Sequence, residues 1–170
     1  EKQTGTTATS LMVVDDSAVI RGLLARVLES DPDIKVIASA SNGEQALKAL
    51  DRHDVEIVVL DIEMPVMDGM TALPLLLKAK PGMQVIMAST LTRHNAEISL
   101  RAMANGAADY VAKPSSTSEI HSTDVFRREL IDKVKAVAHA GRGSGARKAA
   151  KPAPSGAPSG RAPVKSLSLT

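Results

Sequence analysis

Five short runs along the chain are apolar at nearly every position: LMVVD (11–15), IKVIASA (34–40), EIVVLD (56–61), QVIMAS (84–89) and DYVAKP (109–114). Strands buried on both faces have this texture, whereas a strand with one wet face alternates. Between the runs the apolar residues recur at the helical period. Over 17–30 the stripe is Val19, Ile20, Leu23, Leu24, Val27 and Leu28, with Ser17 placed to cap it. NGEQALKALDRH, GMTALPLLLKA and RHNAEISLRAMANG continue the pattern. Gly106 stands where a helix C-terminal glycine belongs, and Pro74 is assigned near the start of its helix, where a missing N–H does least harm. A last helix covers about 124–139, with Phe126, Leu130, Val134 and Val137 on one face. Five strand–helix units in series predict an α/β fold, a doubly wound five-stranded parallel sheet with five helices.

Ligands of such sheets bind at the carboxyl ends of the strands. There the pattern stops being bland. In IVVLDIEMPVMDGM (57–70) an apolar strand ends on a carboxylate, Asp61, and runs into a loop containing Pro and Gly. A buried, ionised Asp without a partner is expensive, so Asp61 requires a cation, hydrogen bonds or an open strand end. The first strand ends in Asp15-Asp16, the fourth in Ser89-Thr90, and the fifth runs into Lys113-Pro114. If the first strand is central, three carboxylates share one pocket and repel unless a cation lies among them. The donors are hard oxygens with no His or Cys nearby, which selects Mg²⁺. An Asp carboxylate can attack phosphorus, a metal and a Lys ammonium can neutralise the transferring oxygens, and the Ser89 hydroxyl can donate to the product phosphoryl.

VVDDSAVIRGLLARVL, VVLDIEMPVMDGM, VIMASTLT and GAADYVAKP, in that order and each at a strand end, resemble the receiver domain of two-component response regulators over about residues 10–140. The resemblance implies a flavodoxin-like receiver fold in which Asp61 accepts phosphate from a sensor histidine kinase. By the same pattern Asp15, Asp16, Asp61 and the backbone carbonyl of Glu63 hold Mg²⁺. Lys113 contacts the phosphoryl group, Ser89 moves towards it on activation, and Tyr110 rotates inward behind it. VIMASTLT with KPSSTSEIH, FRRELIDKVKAVA and a Pro/Ala-rich stretch is similar to the chemotaxis protein-glutamate methylesterases. In that family an N-terminal receiver covers a hydrolase that removes methyl esters from chemoreceptors, and phosphorylation relieves the inhibition. No G-x-S-x-G elbow occurs here, and no Ser-His-Asp triad assembles on a suitable scaffold. The expected role is the regulatory part of such an enzyme, with the catalytic domain beyond this chain.

Composition narrows the alternatives. With 170 residues the chain has room for one domain and a remainder, and without cysteine it has neither disulfides nor thiolate chemistry. No apolar run approaches the ~20 residues of a membrane span, and the N-terminal ten residues lack a signal-peptide order, so a cytoplasmic protein is expected. Six of the 21 basic residues and none of the 19 acidic ones lie after residue 140, which leaves 15 against 19 in the body. Dispersed charge without aromatics reads as a solvated linker over 141–170 rather than a nucleic-acid surface. Residues 1–9 are expected to be disordered and 10–140 to form the domain. A stand-alone relay or phosphate sink, or the receiver of a DNA-binding regulator, is the competing function. A phosphatase using Asp61 would need a second Asp two residues on, where Glu63 stands. His53, His94, His121 and His139 read as solvated. Met64, Met67, Met70, Met83, Met87 and Met103 read as core filling, with the two loop residues Met64 and Met67 the expected exceptions. The Lys113–Pro114 bond is a candidate for cis geometry.

Overall fold

A computed structural model describes residues 7–90, 92–114 and 124–146. Five strands, β1 (Thr9–Val14), β2 (Ile34–Ala40), β3 (Ile57–Asp61), β4 (Gln84–Thr90) and β5 (Asp109–Lys113), form one parallel sheet in the order 2-1-3-4-5. Among the described residues they are joined or followed by α1 (Ala18–Glu29), α2 (Gly43–Leu50), α3 (Gly69–Ala79), α4 (Arg93–Ala104) and α5 (Asp124–Ala146). This is the flavodoxin-like, doubly wound arrangement, in which the strand order reverses between β1 and β3.

Alternation along each strand builds two cores. Leu11, Val13, Ile57, Val59, Ile86 and Val111 face α1 and α5, where they meet Leu24, Leu28, Phe126, Leu130 and Val134. Met12, Val14, Val58, Leu60, Val85 and Met87 face α2, α3 and α4, where Ala46, Leu73, Leu76 and Ala102 close over them. Both faces are buried, which is why the strands read as unbroken apolar runs. Helix starts follow the caps in the sequence. Ser17, Asn42, Asp68 and Thr92 each accept a hydrogen bond from the N–H three residues on. Gly106 turns at φ +108°, ending α4 in the left-handed region.

Several expectations shift. Val19 is 61% exposed, so the α1 stripe is one residue narrower than the period suggested. Pro74 lies inside α3, past its first turn, with its ring on the water side, where an unpaired carbonyl can be hydrated. The described part of α5 runs past 139 to Ala146 despite three glycines. A tertiary anchor overrides their low propensity: the Arg142 guanidinium donates to the Thr7 carbonyl and lies 3.3 Å from a Glu56 carboxylate oxygen. Met64 and Met67 pack against the second core, and Met103 is the exposed methionine instead. No peptide bond among the described residues is cis, so Lys113–Pro114 is trans. His53, His94 and His139 are exposed. His121, residues 1–6 and the stretch 147–170 lie outside the described residues.

Candidate functional site

The carboxyl ends of β1, β3, β4 and β5 converge on one pocket. Asp61 closes β3 and pairs in register with Ala88, so Ser89 stands one step beyond it on β4. Thr90 pairs with Lys113 on β5. Asp15 follows β1 directly, and its N–H donates to the Ala40 carbonyl at the end of β2. One oxygen of Asp15 accepts the Ser17 N–H at 2.9 Å, and the Arg21 guanidinium donates to its carbonyl. The start of α1 therefore fixes this carboxylate in place.

Asp15, Asp61 and Lys113 are 2%, 7% and 8% exposed, too deep for water to screen them from one another. The Lys113 Nζ lies 2.5 Å from Asp15 Oδ2 and 3.2 Å from Asp61 Oδ1. Asp61 Oδ1 also accepts the Ile62 N–H at 2.8 Å. Asp16 is exposed at the pocket mouth, and carboxylate oxygens of Asp15, Asp16 and Asp61 lie within 4.8 Å of one another. One ammonium faces three carboxylates, so negative charge remains. Burial pushes the Asp61 carboxyl up to about 6; Lys113 opposes the shift, and the charge of Asp15 adds to it. A cluster of hard oxygen donors with surplus negative charge fits a small divalent cation.

The loop after β3 shapes the floor. The Gly69 N–H donates to the Ile62 carbonyl at 2.8 Å, and a Cβ at Gly69 would lie 2.1 Å from the Asp61 carbonyl oxygen. Only glycine allows α3 to begin this close to the strand end. The Met67 N–H reaches back to the Pro65 carbonyl, which forces Val66 to φ +67° and leaves its side chain 78% exposed. Glu63 lies in the same loop with its side chain exposed.

Ser89 is buried at the pocket, whereas Tyr110 lies outside it and is 40% exposed on β5. The pocket thus brings together Asp15, Asp16, Asp61 and Lys113, with Ser89 one register step away on β4 and Tyr110 outside it. Three contributors escaped the sequence reading. In sequence Gly69 is only part of the loop after Asp61, although its place directly after the loop acid Asp68 is a signal. Asn95 is 3% exposed and ties α4 to β4 by donating to the Thr90 carbonyl at 3.0 Å. Lys133 is described below; nothing in the spacing of α5 distinguished it from a solvated lysine.

The chain belongs to the response regulator receiver domain family, whose pattern matches residues 11–123. Among individual proteins, a protein-glutamate methylesterase/protein-glutamine glutaminase of a group 2 operon from Rhodospirillum centenum is 59% identical over 138 residues, covering 81% of this chain and 35% of that protein. The chain therefore spans about a third of the length of the curated relatives it matches. The response regulator domain of Thermotoga maritima CheB superposes with a TM-score of 0.70 at 34% identity, over 78% of this chain and 97% of that one. A chain of the CheX-CheY-BeF3-Mg complex from Borrelia burgdorferi gives 0.64 at 27% identity, over 77% and 90%.

Proposed function

We propose that this chain is the regulatory receiver of a two-component chemotaxis system. It takes a phosphoryl group onto Asp61 from a sensor histidine kinase and thereby controls a protein-glutamate methylesterase/deamidase domain of the same polypeptide, beyond residue 170, that acts on chemoreceptors. The observation that carries this reading is one buried carboxylate at the end of β3, held by Lys113 inside an acidic cluster. The similarity to the methylesterases of Rhodospirillum centenum and Azospirillum brasilense supports the identity of the output domain. No helix among the described residues is long and apolar enough to cross a membrane, in keeping with a cytoplasmic site of action.

The chain's own groups account for the transfer. Asp61 Oδ1 is held by the Ile62 N–H and Lys113, which leaves Oδ2 to attack. Oδ2 bonds to phosphorus while the phosphorus–nitrogen bond of the kinase phosphohistidine breaks, and the imidazole leaves with the electron pair. Lys113 balances charge on the transferred group, and Ser89, one residue past the partner of Asp61, donates its hydroxyl to it. Asp15, Asp16, Asp61 and the Glu63 carbonyl would hold Mg²⁺, which when bound neutralises phosphoryl oxygens. Movement of Ser89 frees space behind it for the Tyr110 ring, and the face of α4, β5 and α5 repacks.

Incubation with Mg²⁺ and acetyl phosphate tests the acceptor. A single phosphoryl mass increment, released by hydroxylamine and absent in Asp61→Asn, is expected. A stable increment, or one that persists in Asp61→Asn, contradicts the assignment. In the full-length polypeptide, methyl release from methylated chemoreceptors is expected to rise on phosphorylation; an unchanged rate contradicts the regulatory role.

A further inference from the structure

β5 is an edge strand, so one side of it presents unpaired backbone groups. At Tyr110 those groups have partners. Its N–H donates to the Asp109 carboxylate at 2.8 Å, and its carbonyl accepts from the Lys133 ammonium of α5. The same ammonium lies 3.3 Å from Glu129 and 3.7 Å from Asp109. Fixed by these contacts, it stands 5.1 Å from the centroid of the Tyr110 ring, within cation–π range. Lys133 is only 26% exposed, so the contact is partly shielded from water.

We infer that Lys133 is a positioning residue that clamps the Tyr110 ring outward and so sets the threshold of the phosphorylation switch; this rests on the receiver reading above. When the ring turns inward, Lys133 keeps its bonds to the Tyr110 carbonyl, Asp109 and Glu129. Only the contact with the ring is lost. The clamp therefore weights the outward ring alone and leaves α5 docked. A cation–π contact at a half-exposed site corresponds to about a two- to fivefold bias. That is large enough to raise the threshold and small enough for phosphorylation to overcome.

The chain has a single tyrosine, so ring-¹³C tyrosine gives one probe. Its accessibility to a soluble paramagnetic agent reads ring exposure in the free protein. In Lys133→Met, which keeps the aliphatic stem, the ring is expected to be less accessible than in the wild type. The same variant is expected to bind beryllofluoride with Mg²⁺ about two- to fivefold more tightly, the factor set by the lost ring contact. Lys133→Gln is expected to behave alike, and Lys133→Arg to restore both values, because a guanidinium also stacks on the ring. A merely structural lysine would loosen β5 and raise ring exposure. Unchanged or increased exposure in Lys133→Met and Lys133→Gln overturns the clamp, and reduced exposure without tighter binding overturns its role in the threshold. A wild type that ignores beryllofluoride refutes the receiver reading instead, while the free-protein exposure still decides the clamp.

Discussion

Replacing Asp61 by Asn should stabilise the metal-free protein. The Asp61 carboxyl titrates at about 6 in the fold against 3.8 for an ordinary Asp, and burial is the main cause. Two units at 1.36 kcal/mol each amount to about 3 kcal/mol of strain when the group is ionised. The sign follows from proton binding. Between about pH 4 and 6 the folded state holds a proton that the unfolded state has released, so stability falls as pH rises through that window. Below about pH 4 both states are protonated and the difference vanishes. An Asn side chain still needs hydrogen bonds, and Lys113 loses one of its two counter-charges, so the net gain is about 1–3 kcal/mol near pH 8. Urea unfolding in chelator, at about pH 8 and again at about pH 4, measures it. A gain at pH 8 that shrinks towards pH 4 supports the reasoning. Lower stability of Asp61→Asn at pH 8, or a gain independent of pH, refutes it.

Other outcomes follow from the same geometry. Gly69→Ala drives a Cβ into the Asp61 carbonyl, so a loss of about 1–3 kcal/mol in urea unfolding is expected, with slower phosphorylation by acetyl phosphate; wild-type values for both would show that the loop yields without effect. Val66→Gly relieves a positive φ at an exposed β-branched residue and should raise stability by about 0.5–1 kcal/mol, measured by urea unfolding. Leu130→Ala opens a cavity at a fully buried position on the core face of α5 and should cost about 2–5 kcal/mol by the same assay.

Much of the fold was legible because both faces of the sheet are covered. Continuous apolar runs such as IVVL can then only be interior strands, and Ser17 caps α1 where the polar residue before its apolar stripe placed it. The strand-end acids were legible for a related reason: Asp61 after IVVL violates the pattern, and such violations mark sites. What escaped is tertiary. Val19 fits the helical stripe in sequence yet faces water. The helical run through Gly141 depends on Arg142 reaching Thr7 and Glu56, residues far away in the chain. Lys133 resembles any surface lysine until the fold brings it beside Tyr110. Pro74 defied its expected place because propensity near a helix start yields to packing of Leu73 and Leu76 on either side.

The most direct test of the central claim is a backbone NMR spectrum recorded with Mg²⁺, before and after beryllofluoride. Large shifts at Asp61, Ser89, Tyr110 and Lys113, absent in Asp61→Asn, are the expected result. Identical spectra before and after, or the same shifts in Asp61→Asn, would contradict the assignment of Asp61 as the phosphoacceptor.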